Sequence, residues 1–263
     1  YTARALAGMI ASQGLLAPAL TVDREKAYER GAQAWYRYRQ NSDLKPTWRA
    51  RVAEVVANFP AFVRSGSLTE RDLVPVEMIA AVGVWDTVGA LGLPEFNQDG
   101  RADAFRFADT KLSSKVGRGI HAVSLDEQRV DFTPTLWDAA PNVVQVAFAG
   151  AHADVGGGYP AANAESGLSD ITLAWMMQEL SATGVLFAAT PDYLGAPDAG
   201  GVAHQPWAHK PWNLPGAKLG ARRLPGDFTV DASVRARMAL QSVFAEPRTS
   251  AGPYRPGNLP AGF

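Results

Sequence analysis

The run Val143-Val-Gln-Val-Ala-Phe-Ala-Gly150-Ala-His152-Ala-Asp154-Val-Gly156-Gly157-Gly158-Tyr159-Pro160 decides how the rest of the sequence is read. Val143 to Ala149 is apolar and β-branched almost throughout, as a strand covered on both faces of a parallel sheet must be. It stops at Gly150, and a histidine and an aspartate follow before three successive glycines. Open α/β sheets carry their chemistry just beyond the carboxyl ends of their strands, so His152 falls where a reactive side chain is expected.

A second stretch repeats this design. Val76 to Trp85 reads as another buried strand, Asp86 stands directly at its end, and Thr87-Val-Gly89-Ala-Leu-Gly92 follows as a glycine turn. Between the two, Gly119-Ile-His121-Ala-Val-Ser-Leu reads as a short apolar piece ending in a charged turn, and Asp131 to Trp137 as a Pro-marked loop. The segment 94–118 reads as a polar excursion with one short helix near Ala102–Phe107.

Upstream, residues 2–13 form a helix of small and apolar residues ending near Gly14. Thr21 is the expected cap of a second helix, with Asp23 and Glu25 in its first turn and Tyr28, Ala32, Trp35 and Arg39 along one face. Pro46 and Thr47 open a third helix reaching about Phe59, so residues 22–64 read as an inserted helical layer. Downstream, Ser169 or Asp170 caps a helix whose apolar face is Leu173, Met176, Met177 and Leu180, stopped by Gly184. Ten of the 18 prolines lie beyond residue 190, predicting a loop-rich extension with one helix near 231–243. The expected organisation is thus a catalytic unit over 1–189 and an extension over 190–263 wrapping it.

Composition narrows the function classes. Of 263 residues 47% are hydrophobic and 19% charged, with a net charge of −1, so nothing favours nucleic acid. The absence of cysteine excludes disulfides, thiolate nucleophiles and Cys-based zinc sites. No cofactor or metal is expected: His204 and His209 bracket Pro206 and Trp207 without a third ligand in reach. No Lys or Ser/Thr follows the triple glycine in phosphate-loop spacing.

The order Asp86 then His152 matches the acid and base of an α/β-hydrolase, whose chain order is nucleophile, acid, base. The acid fixes the imidazole tautomer, and the imidazole takes the serine proton. None of the 13 serines sits in a Gly-x-Ser-x-Gly elbow. The opening helix is of the kind that follows such an elbow, so the nucleophile is expected just before Tyr1. Asp154 is read as a turn-stabilising residue on the amides of Gly156, Gly157 and Gly158, and His121 as a structural or supporting histidine.

Tyr1-Thr-Ala-Arg-Ala-Leu-Ala-Gly8, Gly83-Val-Trp-Asp-Thr-Val-Gly89, His121 to Glu127, Phe148 to Pro160 and Gly167 to Met176 together resemble one family. It is the bacterial and fungal hydrolase family that includes the type VI secretion phospholipase effectors of the first lipase class. The resemblance implies the C-terminal part of an α/β-hydrolase, with a doubly wound, mostly parallel sheet and a Gly-Phe-Ser-Arg-Gly-type elbow preceding the Tyr-Thr-Ala-Arg stretch. It maps Asp86 to the acid and His152 to the base. Where many relatives carry a His before Pro-Ser-Val, this sequence has Asp231-Ala-Ser233-Val. The implied activity is serine-dependent hydrolysis of acyl esters, phospholipids first among them, with transient membrane-surface contact and an immunity or secretion-apparatus protein as partners. Either the bacterial cytoplasm or delivery to a target-cell periplasm fits it. The alternative is a catalytically silent hydrolase fold used as a binding module.

Overall fold

The structure, a computed structural model, describes residues 1–41, 68–88, 110–193, 195–246, 249–261 and 263. At its centre is a four-stranded parallel sheet in the order β3 (Ile79–Trp85), β4 (Val116–Ser124), β5 (Val143–Phe148), β6 (Thr229–Val230). Helices cover both faces. On one, α1 (Thr2–Gln13) lays Ala7 against Val82, Val84, Val116 and Trp137. On the other, α4 (Gly167–Ser181) brings Ile171 and Trp175 onto Ala122, Val146 and Phe148, with Val155 beside them. This is an α/β fold, and among the described residues no helix is long and apolar enough to cross a membrane.

The sequence explains the close approach of these layers. A Cβ on Gly83 would stand 2.7 Å from the Met176 sulfur, so the missing side chain lets α4 settle on β3. Gly14 ends α1 at φ 87°, where an L side chain is strained, and its amide closes on the Ile10 carbonyl.

β4 corrects the sequence reading. The short apolar piece around His121 is a nine-residue strand paired on both edges, with Val84 opposite His121 and His121 opposite Gln145. A His and a Gln facing each other mid-sheet break the apolar run that signals a buried strand, and the structure satisfies them with hydrogen bonds instead.

The helix caps also differ from expectation. α2 (Arg24–Asn41) is capped by Asp23, whose Oδ1 accepts from the amides of Glu25 and Lys26, while the Thr21 hydroxyl donates back to Pro18 O. The cap position of α4 is Ser166, three residues before the first of the two expected, and Asp170 is drawn inward as a buried acceptor. The expected helices from Pro46 and near Ala102 lie outside the described residues, as do Gly89 and Gly92.

Three further pieces complete the fold. Leu15–Leu16 (β1) pairs antiparallel with Leu73–Val74 (β2). α3 (His152–Gly156) is a single turn following β5. After β6 come α5 (Ala232–Met238), capped by the Asp231 carboxylate, and the hairpin of β7 (Val243–Glu246) and β8 (Thr249–Gly252). The extension beyond 190 therefore supplies the fourth strand of the sheet, through Ala147 opposite Val230.

Candidate active site

β3 and β5 flank β4 and run the same way, so their carboxyl ends open on one rim. Asp86 follows β3 and His152 follows β5 by four residues, and the two side chains meet there: His152 Nδ1 lies 2.7 Å from Asp86 Oδ2. Asp86 is fully buried, whereas a third of the His152 side chain is exposed. With Nδ1–H donated to the carboxylate, the lone pair of the neutral ring is at Nε2, for which the structure gives no hydrogen-bond partner among the described residues.

Asp86 is held in place by its surroundings. Its φ of 34° is in the left-handed region, where a non-glycine residue costs about 1–3 kcal/mol and persists only when its contacts over-determine it. Those contacts are at hand. Its amide continues the ladder to Ala122 O at 2.7 Å, and Oδ1 accepts from Ser124 N at 2.9 Å. The Arg222 guanidinium reaches both carboxylate oxygens, Nη2 at 3.2 Å from Oδ2. Burial alone would raise the Asp86 pKa. The hydrogen bond from His152 and the charge of Arg222 outweigh it and hold the carboxyl below its usual range.

His152 is seated from the backbone side as well. Gly150, at φ 106°, turns the chain off β5, and a Cβ there would fall 2.5 Å from that of Asp154. The His152 amide donates to Glu127 Oε2 at 3.1 Å, and Glu127 is locked to Arg129 by three bonds of 2.8 Å. The His152 and Phe132 rings meet in a T-shaped contact with centroids 5.1 Å apart, and Phe132 meets Trp212 in the same way. Arg129 lies 3.5 Å over the Phe132 ring. One wall of the site is therefore aromatic, backed by the Glu127–Arg129 ion pair and assembled from the loop after β4 and the extension.

The remaining expected residues take other places. His121 is fully buried. Its Nε2 accepts from Thr87 N at 3.0 Å and its Nδ1 faces Gln145 Oε1 at 3.3 Å. Burial pushes its pKa down to about 4, so it is a neutral strut under the residue next to Asp86.

Asp154 is not bonded to the glycine amides. It accepts from Ala151 N at 2.8 Å and from His204 N at 2.9 Å, and pairs with His204 Nδ1 at 2.7 Å. The reason is geometric: α3 carries Gly156 away as helix, while Gly157 and Gly158 run on at φ 84° and 126°. Burial raises the Asp154 pKa. For His204, burial opposes protonation but the hydrogen bond it donates to Asp154 prevails and raises its pKa. Tyr159 stacks flat on the His204 ring at 3.4 Å. This second His–Asp pair is buried and ties the turn after β5 to the extension. Among the described residues no group of three or more His, Asp or Glu is arranged to hold a metal ion.

Sequence reasoning missed Arg222, Ser124, Glu127, Arg129, Phe132 and Trp212. Arg222 is 136 positions from the aspartate it grips, and no local pattern marks it.

A model of the family described as "T6SS, Phospholipase effector Tle1-like, catalytic domain" matches residues 1–179. No curated protein matches. A crystal structure of an uncharacterized protein from Pseudomonas aeruginosa is 26% identical over 60% of this chain and 22% of its own, with a TM-score of 0.34. The chain thus spans about a fifth of that protein's length. The family match takes in α1, the parallel strands β3 to β5, Asp86, His152 and nearly all of α4, well over half of the sequence, and on that ground the chain belongs to the Tle1-like family of type VI secretion phospholipase effector catalytic domains.

Proposed function

We propose that Asp86 and His152 are the acid and base of a serine esterase of the α/β-hydrolase type, acting on acyl esters and above all on phospholipids. The observation that carries this reading is the 2.7 Å contact from a buried, ionised Asp86 to Nδ1 of a half-buried His152, which leaves Nε2 as the free basic atom. A hydroxyl brought to Nε2 would lose its proton to the imidazole and attack the ester carbonyl. The imidazolium would then return the proton to the leaving alcohol, and water would release the acyl group by the reverse sequence. Asp86 would stabilise the transient cation without itself taking the proton.

The nucleophile in this proposal is a serine in an elbow preceding Tyr1. Two features support that placement. The amino end of α1, at Tyr1 and Arg4, lines one cavity with Thr87 and Thr135, so this helix starts on the rim where Asp86 sits. Among the described residues β3 is the edge strand of the parallel sheet, and it is at this edge that the strand of the proposed elbow would pair. The oxyanion hole would use the amide following that serine and one from an earlier loop. The phospholipid preference rests on the family match.

The test uses a longer protein that includes the preceding segment. A fluorophosphonate probe should label one serine just before Tyr1, and phospholipid vesicles should be hydrolysed. His152→Ala should lower turnover by on the order of 10³-fold or more. Turnover unchanged in His152→Ala would refute the assignment, and absence of both label and hydrolysis would favour a silent binding module.

A further inference from the structure

Arg222 lies outside the residues that the family model covers, yet its guanidinium bonds both carboxylate oxygens of Asp86. Its position is built rather than incidental. The strand-like segment leading to it runs along the loop after β4, with Val130 N donating to Lys218 O at 3.1 Å and Gly220 N to Gln128 O at 2.8 Å. Asn258 then pins its carbonyl from the far end of the chain. The same two guanidinium Nη atoms also donate to Ser124 O, at 2.7 Å, and to Phe132 O, the carbonyls of the end of β4 and of the loop that follows it. The residue is 7% exposed.

We propose that Arg222 is a positioning residue acting through Asp86: it locks the carboxylate in the rotamer that receives His152 Nδ1–H, and its charge offsets that of Asp86 at the imidazole. This rests on the reading of Asp86 and His152 given above. The physics has two parts. A planar fork bonded to both carboxylate oxygens fixes their orientation, which a point charge does not. A permanent cation behind the carboxylate also weakens its pull on an imidazolium, so the ring gives up its proton more readily. Among the described residues, the other charged groups placed beside His152 are Glu127, bonded to its amide, and Arg129, which forms an ion pair with Glu127. Phe132 adds only its ring, in a T-shaped contact. Asp86 and Arg222 therefore set the field at the imidazole.

The decisive measurement is the titration of His152 by ¹⁵N-histidine NMR in the 263-residue chain, which needs no nucleophile. Charges about 7 Å apart at an effective dielectric near 20 shift a titration by roughly one to two units. Arg222→Met should raise the His152 midpoint by that amount, and Arg222→Lys, which keeps the charge, should hold it within about half a unit of the parent. Arg222→Gln carries the same test should the Met variant fail to fold, because its amide can still bond Ser124 O or Phe132 O. A folded neutral variant with an unmoved midpoint overturns the proposal, as does a Lys variant that titrates like the Met variant. In the longer protein, the acid limb of kcat/KM should move upward with the NMR midpoint while KM holds. A longer protein without ester turnover would refute the esterase reading alone, since the titration judges Arg222 separately.

Discussion

Asp86→Asn probes the site with the smallest change in volume. Four donors converge on the two carboxylate oxygens: His152 Nδ1–H, Ser124 N and two guanidinium nitrogens of Arg222. An asparagine offers one oxygen and one NH2 in their place, so whichever way it turns, an N–H faces a donor. Turned with its oxygen to Arg222, it presents the NH2 to His152, and the ring must take the opposite tautomer with Nε2 protonated. Arg222, 7% exposed, loses its counter-charge at the same time. Breaking a buried pair in this way costs about 3–5 kcal/mol.

The pH dependence fixes the sign. The Asp86 pKa is lower in the folded state than in the unfolded one, because the His152 bond and the Arg222 charge outweigh burial. Its stabilisation is therefore fully present above the unfolded carboxylate value, about 4, and is lost as pH falls through the lower folded value. Urea denaturation of the 263-residue chain at pH 7 should show the full gap between parent and variant, and the gap should narrow below about pH 4. In the longer protein, ester turnover should fall by about 10⁴-fold, the effect of a wrong tautomer. Equal stability of variant and parent at pH 7, within about 0.5 kcal/mol, would refute the account of Asp86 as the hub of this network.

Other perturbations follow from the same geometry. Gly150→Ala places a Cβ 2.5 Å from that of Asp154 at φ 106° and should cost about 2–3 kcal/mol in denaturant, while shifting the His152 NMR signals. His121, buried and neutral with its pKa near 4, contributes stability that is full above about 6.5 and lost as pH falls to 4. His121→Gln, which can still accept from Thr87 N, should flatten that acid loss by up to about 3 kcal/mol, read as the pH dependence of the urea midpoint. Asp154→Ala takes from the buried His204 its closer carboxylate, leaving only Glu165 at 3.5 Å, and frees the Ala151 and His204 amides. It should cost about 3 kcal/mol and speed hydrogen exchange around residues 202–205, which a denaturant curve and amide exchange would check.

Strand and helix periodicity alone placed β3, β5, α1 and α4 and with them the two residues that meet at the rim. Buried parallel strands are largely apolar, and Asp86 and His152 are visible as the first polar residues after β3 and β5. β4 was hidden because His121 interrupts it, and its polarity is tolerated only through Thr87 N and Gln145 across strands. Asp154 could be read no further than a turn residue, since its true partner, His204, is 50 positions away. The family likeness lay equally in the sequence, as an ordered set of short motifs from Tyr1 to Met176. What only the tertiary structure decided is the environment of the acid. The charge on Asp86, the lock on its rotamer and the aromatic wall beside His152 come from Arg222, Phe132 and Trp212. Those residues reach the site through loop backbone bonds between Gln128, Val130, Lys218 and Gly220. Such pairings leave no periodicity to read, because loop register is set by closure of the whole chain and not by neighbours in sequence.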